Sequence, residues 1–185
     1  MSRIRCAAVI FAGFAAAPAL AADPKPIGNA GVWTAYRYED GGKPVCYVAS
    51  KPEKSAGKYA RRGEVYALIT HRPAENAMNV VSIIAGYTYK PGSEVKLKVG
   101  DKNFTLFTDG DTAWARDQAT DSAIAAAFRT GLTMIVEGVS NRDSQTTDTF
   151  NLKGSNQALD IIGKACREGG QPQPAEKPSS ERRRR

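Results

Sequence analysis

Side chains able to do chemistry are few in this chain and widely scattered. His71 is the only histidine, so a Ser-His-Asp triad or a multi-histidine metal centre has very little to build on. It stands in a strand-like run just before Arg72-Pro73, where an imidazole commonly satisfies a local hydrogen bond. General acid–base work needs a partner within reach, and the sequence identifies none. A hydrolase using His71 with an unassigned carboxylate or serine is the enzymatic alternative. Asp109-Gly110-Asp111 has the look of half a calcium loop, but Thr112-Ala113-Trp114 supplies no further ladder of oxygens. No glycine-rich phosphate loop leads from a strand into a helix, and no cysteine pair has zinc spacing. No catalytic residue, metal ligand or cofactor is therefore expected.

Cations offer a second kind of chemistry. Lys51–Arg62 (KPEKSAGKYARR) lacks an apolar period and reads as a loop. Its Lys51, Lys54, Lys58, Arg61 and Arg62, with the terminal Arg182, Arg183, Arg184 and Arg185, are the candidate polyanion-binding residues. The competing reading is a solvated loop and a solubilising tail, since lysine and arginine are mostly exposed anyway. Held against an anionic surface, each cation contributes about 1 kcal/mol.

The first residues carry an address. Arg3 and Arg5 precede the apolar run Ala7–Ala17, and Ala19-Leu20-Ala21 has the small-x-small pattern of a signal-peptidase site. Cleavage after Ala21 predicts a periplasmic, secreted or cell-surface protein. No later stretch approaches the twenty apolar residues of a membrane span. Partners are then an envelope or host protein or an anionic envelope polymer, and not nucleic acid. Cys6 leaves with the signal, so Cys46 and Cys166 remain in a compartment where disulfides persist. A bond between them would tie the second strand to the last helix. The net charge of +7 falls to about +5 in the mature chain, and to about +3 without the tail. A domain this mildly basic says little by itself about anionic partners.

Positioning falls mostly to β-strands. Asn103–Arg116 (NFTLFTDGDTAWAR) predicts a central hairpin with Asp109-Gly110 as its two-residue loop. That register sets Leu106 opposite Ala113 and Phe104 opposite Ala115. Phe107, Thr105, Thr112 and Trp114 share the other face. Apolar groups on both faces predict cover on both, by strands on one side and helices on the other. Ala22–Ala30 reads as an N-terminal lead. Gly31–Tyr38 and Pro44–Ser50 form a hairpin about Gly41-Gly42, followed by strands at Gly63–Arg72, Ala77–Tyr87, Val95–Val99, Leu132–Ser140 and Thr146–Leu152. Asp121–Thr130, capped by Thr120 or Asp121, and Ser155–Arg167, capped by Ser155, have helical spacing. The sum is a mainly β domain over residues 31–167, with a disordered basic tail at 168–185. Its expected form is an antiparallel β-sandwich or partly open barrel of about nine strands, with two short helices packed on it.

Several runs occur together and in order: ITHRP (Ile69–Pro73), NVVSIIAGY (Asn79–Tyr87), FTLFTDGDTAWARD (Phe104–Asp117), DTFNLKG (Asp148–Gly154) and ALDIIGKAC (Ala158–Cys166). With the Trp33…Cys46 beginning, the chain resembles the invasion-associated locus B family, exported proteins typical of alphaproteobacteria. The likeness covers roughly Gly31–Arg167. It implies a periplasmic or surface-associated factor, with a link to host-cell invasion in some members and a broader envelope role in the many found in bacteria that invade nothing. It brings no catalytic residues. The expected function is a non-enzymatic binding or host-interaction factor, the further alternative being a structural or stress-protective envelope component.

Overall fold

The computed structural model describes residues 23–59 and 61–168. The signal segment, Cys6 and the tail with Arg182–Arg185 lie outside the described residues. The strands are β1 (Lys25–Ala30), β2 (Trp33–Asp40), β3 (Lys43–Ser50), β4 (Lys54–Gly57), β5 (Tyr66–Arg72), β6 (Ala77–Ile84), β7 (Glu94–Val99), β8 (Lys102–Asp109), β9 (Thr112–Trp114), β10 (Thr133–Val139) and β11 (Gln145–Asn151). The helices are α1 (Gln118–Thr130) and α2 (Ser155–Glu168). All strands join one antiparallel sheet in the order β1-β2-β3-β5-β6-β9-β8-β7-β10-β11-β4. The mainly β class with two helices stands, with eleven strands in place of nine.

Both added strands are polar edges. Lys25–Ala30 was expected as a lead, yet it pairs with β2 around a bulge between Pro26 and Gly28. Lys54–Gly57 was expected as loop, yet it pairs with β11 from Thr149↔Lys54 to Thr146↔Gly57. An edge strand with solvent on its free side needs no apolar alternation, so neither left a period to read.

Alternation elsewhere builds the core. Along β7 the glutamate and lysines are exposed while Val95, Leu97 and Val99 are buried, the pattern of a strand with one face turned inward. Both helices pack on that inner face, α2 against β1, β2, β3 and β5, and α1 against β6 and β8. The sheet curls until its later strands meet its earlier ones without closing. Trp33 Nε1 donates to the Asn151 carbonyl at 3.0 Å, and the Trp33 ring meets Phe128 edge-on with centroids 5.4 Å apart. At this seam Gly154 has φ +91°, and a Cβ there would strike the Ala30 carbonyl.

The hairpin β8–β9 does occupy the middle of the sheet. Its loop is Gly110-Asp111, however, with Asp109 opposite Thr112, Thr108 opposite Ala113 and Phe107 opposite Trp114. Gly110 takes φ +58°, so the residue that tolerates left-handed backbone holds the first loop position. The faces are as expected and the cross-strand partners are not. Leu106 and Ala113 are buried, while Phe107 and Trp114 remain half-exposed, with Arg116 over the Phe107 ring. The helices do not cover the outer face, so the expectation of double cover fails.

Helix α1 begins three residues earlier than its spacing suggests. Asp117, and neither Thr120 nor Asp121, is the cap, its carboxylate accepting the Thr120 N–H at 2.7 Å. Asp121 turns inward instead and accepts the Val81 N–H at 2.8 Å. In α2, Ala158, Leu159, Ile162 and Cys166 form the buried stripe. Cys166 is bonded to Cys46 of β3, with Cα atoms 5.9 Å apart.

Candidate functional site

His71 lies on the inner face of β5 and is 4% exposed. Its Nδ1 accepts the Asn79 backbone N–H at 3.0 Å. Burial pushes the imidazole below the usual histidine range, and the charges of Arg129 and Arg167 push the same way. The Cys46–Cys166 bond is adjacent, with Cys166 Sγ 3.8 Å from the His71 carbonyl. Among the described residues no side chain hydrogen-bonds this ring, so it has the contacts of a core histidine. Asp109-Gly110-Asp111 is the hairpin turn described above. The described residues contain no group of three or more His, Cys, Asp or Glu placed to hold a metal.

The predicted basic run is divided by the fold. Lys51 pairs with Glu64 at the surface. Lys54 stands exposed on edge strand β4. Arg62 leaves the candidate list altogether, because its side chain is 4% exposed and forks onto Asp148 of β11 at 2.8 and 2.5 Å. Its Nε donates to the Ala85 carbonyl at 2.7 Å, and its plane lies over the rings of Tyr59 and Tyr87. Ser55 Oγ adds a bond to Asp148 Oδ1 at 2.7 Å. A buried guanidinium with this many partners is already neutralised and unavailable to a polymer outside.

Lys58 and Arg61 remain, and they border a cleft of about 540 Å³. The segment after β4 supplies Lys58, Tyr59 and Arg61, and the segment after β6 supplies Gly86, Tyr87 and Thr88. The β10–β11 turn supplies Arg142. Its shape is held from within, since Ser140 Oγ accepts the N–H groups of Arg142 at 3.3 Å and Ser144 at 3.2 Å. On the floor, Tyr87 Oη and Thr146 Oγ1 are 2.6 Å apart. Burial raises the Tyr87 phenol, partly offset by the Thr146 bond and the Arg62 charge, so it stays neutral. Beneath it lies the Arg62–Asp148 pair.

No described salt bridge engages Lys58, Arg61 or Arg142. The nearby acids are committed, Asp143 to Lys90 at 2.5 Å and Asp148 to Arg62. The cleft therefore presents three cations and several hydroxyls with no free carboxylate among its lining residues. Such a site can concentrate anions by charge and orient them by hydrogen bonds. In sequence Arg142 stands in a polar turn with no binding motif around it, and Tyr59 and Tyr87 carry no mark of a shared site. Only the curl of the sheet unites them.

No described helix is long and apolar enough to cross a membrane. No curated protein matches the chain, and no solved structure does. A family model does, that of the invasion associated locus B (IalB) protein, over residues 33–163. The match runs from the tryptophan that closes the sheet seam into the helix that carries the disulfide, and on that extent the chain belongs to the IalB family.

Proposed function

We propose that this IalB-family domain is a non-enzymatic, exported binding protein of the bacterial envelope that takes up an anionic polymer at the Lys58–Arg61–Arg142 cleft. The observation that carries the reading is the set of three cations, none in a described salt bridge, around a hydrogen-bonded, hydroxyl-lined floor. Export is supported by the signal-like first residues, the Cys46–Cys166 bond and the family. The hydrolase alternative draws no support from the His71 ring, which has a backbone amide where a triad would have a carboxylate.

Heparin serves as a model polyanion. A Lys58→Ala/Arg61→Ala/Arg142→Ala variant should lose on the order of a hundredfold in affinity, at about 1 kcal/mol for each cation. Lys51→Ala, whose partner is Glu64, should change it little. Binding should also weaken steeply with salt. Equal affinity of wild type and triple variant would refute the assignment.

A further inference from the structure

A second cleft, of about 480 Å³, lies beyond the other end of β4 and shares no side chain with the cationic one. Its floor is made by the small side chains of Thr34 and Ala49, which face each other across β2 and β3. Tyr36 of β2, one face of which stacks on Tyr47, and Tyr66 of β5, over whose ring the Lys51 ammonium lies at 5.5 Å, border it on either side. Both bordering tyrosines point to the outer face, where no described helix covers them, and both are half-buried. Asn151 of β11 reaches the mouth because the Trp33–Asn151 hydrogen bond draws that strand onto β2.

The two clefts differ in charge. Around this one, Lys51 is spent on Glu64, and Glu53 has no described side-chain partner. The rim is thus slightly negative, which repels a polyanion and tolerates an uncharged ligand. The aromatic surface that Tyr47 leaves free on Tyr36, and that of Tyr66 once the exposed Lys51 side chain swings off it, suit a flat aliphatic ring over a small-residue floor. Thr34 Oγ1, the Tyr36 hydroxyl, the Glu53 carboxylate and the Asn151 amide have donors and acceptors to spare for a ligand rich in hydroxyls. A purely apolar guest would leave those groups unmatched at the contact, at a desolvation cost.

The geometry points to a saccharide subsite in which the Tyr36–Tyr66 cleft takes an uncharged pyranose ring of a glycan chain. Ala49 is the residue that keeps the slot open. The site does not depend on the polyanion reading, and either can fail alone.

The test is a titration of isotope-labelled mature protein with tetra-N-acetylchitotetraose, an uncharged β-linked N-acetylamino-sugar tetramer, followed by backbone amide shifts. Shifts are expected at Thr34, Ala49 and Tyr66 at millimolar sugar. Ala49→Leu fills the slot and should abolish them, while heparin binding at the other cleft persists. Tyr66→Ala removes one side without filling the floor and should weaken binding at least tenfold. Absence of shifts in the wild-type protein overturns the proposal. So do shifts that survive Ala49→Leu, shifts confined to other residues, or the same shifts produced by a phenylalanine tripeptide in place of the sugar.

Discussion

Arg62 and Asp148, 86 residues apart in sequence, meet as a two-pronged ion pair with both side chains almost fully enclosed. The pair joins the segment entering β5, the fourth strand in the sheet order, to the middle of β11, the tenth, bridging strands that do not pair with each other. Removing one partner leaves an unmatched charge in the interior. Arg62→Met or Asp148→Leu alone should cost about 3–5 kcal/mol in a urea melt, and the double replacement should recover much of that loss. Additive losses would mean that the two side chains act independently.

The disulfide closes a loop with a sequence separation of 120 residues. In the chain-entropy model this restrains the unfolded chain by about 5 kcal/mol. Cys46→Ser/Cys166→Ser should lower stability by an amount approaching that figure. Alkylation of the unreduced mature protein should add no mass, because neither sulfur is free.

Stability should depend on pH through His71. Burial lowers its pKa in the folded state, so as pH falls the unfolded chain takes up the proton more readily than the native ring. Stability from this group is complete above the unfolded value of about 6.5 and is lost as pH falls toward the folded value. Chemical denaturation between about pH 7.5 and about pH 5 should show that slope. His71→Gln, which keeps an acceptor for the Asn79 N–H, should flatten it.

Two glycines separate backbone strain from collision. Gly92 has φ +71° with open space around its missing side chain, so Gly92→Ala should cost only the left-handed penalty, about 1–2 kcal/mol. Gly154 is also left-handed, and a methyl there meets the Ala30 carbonyl and the Gly31 nitrogen. Gly154→Ala should therefore cost distinctly more. Equal melting temperatures for the two variants would show that the seam yields.

Alternation and turn chemistry made most of this fold legible. Trp33 and Ala35, Val95 and Leu97, and Leu106 and Ala113 all sit on the inward faces that their spacing assigns. The hairpin's partners were missed because the turn begins at Gly110, one residue beyond the expected Asp109. Parity survives such a shift while every cross-strand pair changes. Lys54–Gly57 was missed because an exposed edge strand need bury nothing.

Arg62 was misread for a different reason. It follows Arg61 directly, and composition does not distinguish a solvated arginine from an enclosed one. A usable sign lay on the partner strand. Thr146, Asp148 and Phe150 share one face of β11, and Phe150 faces the core. An acid on that face needs a cation, and the basic run was the obvious place to seek it. The two clefts could not be read from sequence, because each draws on segments that adjoin only once the sheet curls.

The strand pairings and the disulfide also set where the chain enters and leaves the domain. Lys25 pairs with Arg37, Arg37 pairs with Cys46, and Cys46 is bonded to Cys166. The backbone thus enters its first strand and nears the end of its last helix beside the middle rows of β2 and β3. A carrier or surface tether joined before Lys25 and one joined after Arg167 would therefore both leave the domain near the disulfide, so that a pull between them falls on one covalent link rather than on the sheet strands between Cys46 and Cys166.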